Sequence, residues 1–204
     1  MPKVYRFKRD IEETITVSAG IPPEGWTVSG NTIGKNFGWS LGSLGADSAD
    51  ELTNLFGQYR IKGARVKMFF SNTESGRSGS TGNMSNSQLI CRMAPNLDGK
   101  LDTLDNRYWQ NRQAKKYRTC LNGGKPLDIY MPLKQQVVVQ NSGLSGAEAT
   151  CSPKWLPTSD TTVIHYGINF TFERADGQMF PTSLAYTQYC KLITTLYIEM
   201  KQVE

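Results

Sequence analysis

Between Tyr59 and Phe70 the chain reads YRIKGARVKMFF, with Arg60, Lys62, Arg65 and Lys67 and no acid among them. Long-stemmed cations in a row suit phosphate recognition, which needs positive charge at intervals and no nucleophile. The residues that catalysis would need are poorly placed. The single histidine, His165, stands in TVIHYGINFTFER without a Ser or Cys nucleophile in a recognisable context. No Walker A loop, GxGxxG or HExxH is present, so the chain is not expected to be an enzyme or to carry a cofactor. Cys91, Cys120, Cys151 and Cys190 are far apart, form no CxxC pair and have one histidine for company, which argues against a metal and for reduced structural thiols. Asp98, Asp102 and Asp105 lack the alternating spacing of a calcium loop. Sequons at Asn83 and Asn169 read as chance matches, because MPKVYRFKRDIEE lacks the apolar stretch of a secretory signal.

The elements that must position the cations are strands. At 204 residues the chain is sized for one domain, 1–204, and no apolar run is long enough to insert in a membrane. Its net charge of +5 favours a polyanionic partner. Alternation dominates: Tyr5, Phe7, Ile11, Ile15 and Val17 share one parity in the first segment, and Cys190, Leu192, Leu196, Ile198 and Met200 share one in the last. TVIHYGINFTFER groups Ile164, Tyr166, Ile168, Phe170 and Phe172, which puts His165 and Asn169 on the polar, surface side. Thr32 to Leu44, Gln88 to Ala94, Gln113 to Leu121 and Leu127 to Met131 complete a set of eight predicted strands with the basic one. Helices are expected only in loops: SADELTNLF, with Ser48 as N-cap, and LDTLDNRYW. Ser71 to Ser87 and Gln140 to Ser159 read as long connections. Eight antiparallel strands with uneven loops predict an all-β sandwich of the jelly-roll type.

Within the basic strand the alternation slips, since Tyr59 and Ile61 are odd whereas Val66, Met68 and Phe70 are even. A β-bulge at Gly63-Ala64 restores the phase, with those five residues on the core side and the four cations opposite, at ~7 Å intervals.

YRIKGARVKMFF after a short helix, a polar loop before QLICRM, then HYGINFTF and a closing YCKLITTLYIEMK together resemble the capsid proteins of circoviruses and related circular single-stranded DNA viruses. The resemblance is one of segment order over nearly the whole chain. It implies a single jelly roll that self-assembles into a small icosahedral shell in the virion, enclosing the genome, with assembly in the host nucleus. It also implies that the first, third, sixth or seventh, and last strands share a sheet whose polar side faces the lumen. Arg6, Lys8, Arg60, Lys62, Arg65, Lys67, Lys191 and Lys201 would gather there, and Lys3 and Arg9 complete the candidate nucleic-acid contacts. Many relatives begin with a long arginine-rich arm, where this sequence has only Lys3, Arg6, Lys8 and Arg9 before its first acid. About sixty copies at +5 supply roughly 300 charges against on the order of a thousand phosphates, so such a lining alone does not balance a genome.

Trp26, Trp39, Trp109 and Trp155 sit mostly in connections, where they serve local packing or subunit contacts. The alternative function is a carbohydrate-binding jelly-roll module, with Trp26, Trp109 and Tyr108 stacking on sugars. It leaves the acid-free strand unexplained.

Overall fold

Strand β1 (Val4–Val17) pairs along its whole length with β12 (Gln188–Lys201), from Val4 opposite Lys201 to Val17 opposite Gln188. The computed structural model that shows this describes residues 3–17, 26–29, 32–71, 89–96, 115–118, 126–141, 144–174 and 188–202. On its other side β12 pairs with β4 (Gln58–Ser71), which in turn pairs with β7 (Leu127–Pro132) and the short β10 (Leu156–Pro157). These five strands make one antiparallel sheet. The second sheet runs β2 (Thr27–Ser29), β3 (Thr32–Trp39), β11 (His165–Arg174), β5 (Leu89–Pro95) and β6 (Lys115–Arg118). A hairpin of β8 (Lys134–Asn141) and β9 (Leu144–Cys151) joins it through β11.

All eight predicted strands are present, although the second ends at Trp39 and Leu41–Leu44 form a 3-10 helix instead, and the first, third, sixth and last of them share the five-stranded sheet, as a jelly roll requires. Four further strands, β2, β8, β9 and β10, were not legible in the sequence. Two fall in Gln140 to Ser159, expected as a connection; LSGAEATC has no apolar alternation, and its strand is visible only in the ladder with β8, where Val137 lies opposite Ala149. Residues 72–87 of the polar loop and the second expected helix, 101–109, lie outside the described residues. The first helix, α1, spans Ala46–Leu55 and is entered through Gly45 at φ +84°, so glycine takes the cap position expected of Ser48, which falls inside the helix.

Apolar side chains from both sheets fill one core, including Ile15, Tyr59, Ile61, Val66, Met68, Leu192, Leu196, Ile198 and Met200 from one and Ile33, Phe37, Trp39, Ile168, Phe170 and Phe172 from the other. Two bulges keep these rows in phase. In β4, Tyr197 faces Gly63 and Ile198 faces Ile61, so Lys62 is the extra residue and the bulge falls one position earlier than expected. Ala64 therefore joins Tyr59, Ile61, Val66 and Met68 in the core. In β11, Gly167 is the extra residue, between Tyr166 opposite Gly38 and Ile168 opposite Phe37. Before it the parity reverses, which leaves Ile164 exposed instead of on the core side and turns His165 inward beside Trp39, fully buried rather than on the surface. Asn169 does face away from the core yet is also fully buried, which removes it as a glycan acceptor in the folded chain.

Candidate nucleic-acid interface

Outward-facing side chains of β1, β12, β4 and β7 line up in rows across the sheet. Arg6, Glu199 and Arg60 form one row; Lys8 and Tyr197 the next; Asp10, Thr195, Arg65 and Tyr130 a third; Glu12, Ile193, Lys67 and Asp128 a fourth. Lys62 stands out at the bulge, Lys191 lies beyond the fourth row and Lys201 beyond the first. The fold thus brings together eight of the ten predicted cations: Arg6, Lys8, Arg60, Lys62, Arg65, Lys67, Lys191 and Lys201. Lys3 and Arg9 are elsewhere. Lys3 Nζ lies over the Tyr5 ring, and Arg9 turns to the opposite side, where it pairs with Glu51 of α1 and covers Phe7.

The basic strand is free of acids, but its sheet is not. Glu12, Asp128 and Glu199 reach in from the neighbouring strands, a pairing that parity within one strand does not reveal. Arg65 donates from Nε to Asp128 Oδ1 at 2.7 Å and from Nη2 to Oδ2 at 2.6 Å. Lys191 Nζ meets Glu12 Oε2 at 2.6 Å. Glu199 serves two partners: its Oε1 accepts from Arg6 Nε at 3.3 Å, and its Oε2 accepts from Arg60 Nε at 2.7 Å and Nη2 at 2.6 Å. The hydrogen bonds from Arg65 hold the Asp128 carboxyl below its ordinary range, and burial opposes ionisation of Glu199 but is overcome by Arg60, Arg6 and the charge of Lys62. Lys8, Lys62, Lys67 and Lys201 form no ion pair among the described residues. Among the described residues, eight cations against Asp10, Glu12, Asp128 and Glu199 give this face a net +4.

Two tyrosines stand among these charges, and neither was singled out from the sequence. Tyr130 is 56% exposed and meets Tyr197 edge-to-face at 5.4 Å, with Lys8 Nζ 5.5 Å from the Tyr197 ring centre. Their signal was available: both occupy the polar parity of their strands, where a large ring lacks a core to fill. Gly63 makes room for this arrangement, because a Cβ there would lie 2.5 Å from the Tyr130 hydroxyl.

The tryptophans divide. Trp26 stacks on Phe172 and meets Phe37 edge-on, and Trp39 stacks on Phe37; both are buried within one subunit's core. A buried Trp26 has no face to offer a sugar. Trp155 is half-buried at one end of the basic face, with Arg60 at 4.5 Å and Lys201 at 4.6 Å from its ring centre. Trp109 and Tyr108 lie outside the described residues. No metal-binding cluster of His, Cys, Asp and Glu occurs among the described residues, and none of the helices described is long and apolar enough to cross a membrane.

Residues 3–204 match a family model described as circovirus capsid protein. Among solved structures, the chain is similar to the 60-mer of the BFDV capsid protein, with 18% identity and a TM-score of 0.65 over 98% of this chain and 95% of that one. It is likewise similar to the decameric BFDV capsid protein, with 20% identity and a TM-score of 0.58 over 98% of this chain and 100% of that one. At these identities the likeness is one of fold. No curated protein matches.

Proposed function

The chain belongs to the circovirus capsid protein family, and from that premise we propose that its copies close into an icosahedral shell with the face of β1, β12, β4 and β7 turned inward onto single-stranded DNA. A capsid protein is a structural component of the virion and not an enzyme. The BFDV capsid protein forms a 60-mer and a decamer, and a shared fold makes closed homo-oligomers the corresponding expectation for this chain. Assembly in the host nucleus, which the family resemblance implies, belongs to the same proposal.

The observation that carries the inward assignment is the concentration of charge: a net +4 on one sheet face. Lys8, Lys62 and Lys67 form no ion pair among the described residues, Lys62 and Lys67 acting on Glu199 and Asp128 through charge alone, and can meet phosphates. Phosphate contacts carry no base information, so binding is sequence-tolerant. Tyr130 offers an open ring on which an unpaired base can stack, which favours single strands over duplex.

The test is the triple variant K8Q/K62Q/K67Q, compared with wild type by electron microscopy and by salt-dependent binding of an oligothymidylate. Uniform shells should persist, because none of the three side chains enters the core. The log–log salt slope should shrink by roughly 2, at about 0.7 per lost contact, and nucleic acid per particle should fall. Shells with unchanged content and slope would show that the face is ordinary solvated surface.

A further inference from the structure

Arg6 and Arg60 are the two arginines of the first row, and one carboxylate between them occupies both. Nε and Nη2 of Arg60 converge on a single oxygen of Glu199, the arrangement in which a guanidinium also receives a phosphate oxygen. The three members of the row differ in exposure. Arg6 has an 83% exposed side chain and a long 3.3 Å contact, so it is readily released, whereas Glu199 is only 12% exposed. Arg60 lies over Trp155, its Cζ 4.5 Å from the ring centre, a contact that does not depend on the carboxylate and keeps the guanidinium in place if Glu199 swings away. Lys201 lies on the same indole. Without the carboxylate, this end of the face holds Arg60 and Lys201 on one ring with Arg6 in the same row, ready for an anion.

We infer that Glu199 is a built-in competitor for phosphate: it fills the forks of Arg6 and Arg60 until a phosphodiester backbone displaces it, and it thereby sets how tightly and how reversibly the face holds a polyanion. The inference rests on the inward, DNA-facing assignment of this face. It separates the cations into two classes. Lys8, Lys62 and Lys67 bind at once, and Arg6 and Arg60 bind only by exchange of one anion for another, a step that weakens the net gain from each. A face built this way grips a genome without fixing it in one place, because every arginine contact has a competing partner within reach.

The experiment measures binding of a fluorescent oligothymidylate to the full chain, kept unassembled by dilution, across a salt series. Wild type, E199Q, R6Q/R60Q and R6Q/R60Q/E199Q are compared, with circular dichroism and thermal unfolding confirming that each is folded. Glutamine keeps the shape of Glu199 and removes its charge, so E199Q should bind more tightly, by roughly 5- to 25-fold at 0.1 M salt, with a slope steeper by about 0.7 to 1.4 for one or two added contacts. Measured against R6Q/R60Q, R6Q/R60Q/E199Q should show no such gain, which ties the gain to these two arginines, because a general loss of negative charge would raise binding in both backgrounds. E199Q binding like wild type, or more weakly, would overturn the inference, the second result making Glu199 a residue that orders the arginines for binding. An equal gain of the triple variant over R6Q/R60Q would overturn it as well. A wild-type chain that does not bind the oligonucleotide at all would instead defeat the DNA-facing assignment itself. If E199Q fails to fold, E199D shortens the reach to both arginines and should still steepen the slope; an unchanged slope there refutes the inference equally.

Discussion

Acid should destabilise the wild-type chain more steeply than a variant in which His165 is replaced by glutamine. His165 is fully buried at the start of β11, 6.2 Å between ring centres from Tyr59 of the opposite sheet. Its Nδ1 lies 3.1 Å from Val163 O, and its Nε2 lies 3.2 Å from Gln135 Nε2. Gln135 Oε1 already accepts from Lys154 N at 2.6 Å, which fixes the amide nitrogen toward the ring. Nδ1 therefore carries the proton and donates, while Nε2 accepts from the amide. A second proton on Nε2 would face the Gln135 amide nitrogen, itself a donor, in a site without a carboxylate partner. Burial, the dominant cause, lowers the His165 pKa to about 4 from an ordinary 6.5. Because the folded value is the lower one, the unfolded chain takes up the proton first. The stability contribution is complete above pH 6.5 and is lost as the pH falls toward 4. Integrated from about pH 7.5 to about pH 4.5, the loss is roughly 2.5 kcal/mol. Urea unfolding of both proteins at matched concentration measures it, and subtracting the glutamine variant's loss removes the carboxylate contributions that the two share. Equal losses in the two proteins would refute the reasoning.

Gly63→Ala should cost about 1–3 kcal/mol, since its methyl would collide with the Tyr130 hydroxyl and Met131 O; Tyr130→Ala in the same chain should restore part of the loss in thermal unfolding. Ile61→Ala, at a fully buried position of the same strand, should cost about 2–5 kcal/mol by urea titration. Arg9→Gln, which breaks the exposed pair with Glu51, should change stability by less than about 1 kcal/mol and leave the salt slope of DNA binding unaltered, because Arg9 lies off the basic face.

Side-chain parity made the five-stranded sheet readable, since each long strand of it presents one apolar and one polar row. Where parity slipped with a glycine nearby, as in GARVKMFF, a bulge was deducible and its position was missed by one residue. The same device at Gly167 went unread: Tyr166 and Ile168 look in phase, and only the pairing with Gly38 and Phe37 shows that one residue is skipped and His165 turned inward. The hairpin of β8 and β9 was invisible because LSGAEATC has no apolar rhythm and the strand rests on main-chain pairing. The candidate site was legible as a list of cations and not as an electrostatic surface. Glu199 is 139 positions from Arg60 in sequence, and Asp128 is 63 from Arg65; only the register of neighbouring strands puts each carboxylate against its arginine.

Among the described strands β12 alone bridges β1 and β4, in register with the first from Val4 to Val17 and with the second from Gln58 to Ser71. Synthesis delivers it after every other strand described. Until residues 188–201 have left the ribosome, the two older basic strands have no common neighbour, and the ladders that align Arg6 with Arg60 cannot form. The order of translation thus acts as a timer. A nascent chain carries its cations as scattered, unaligned charges, and the charged surface forms as a unit only once β12 has been made and has paired with both older strands.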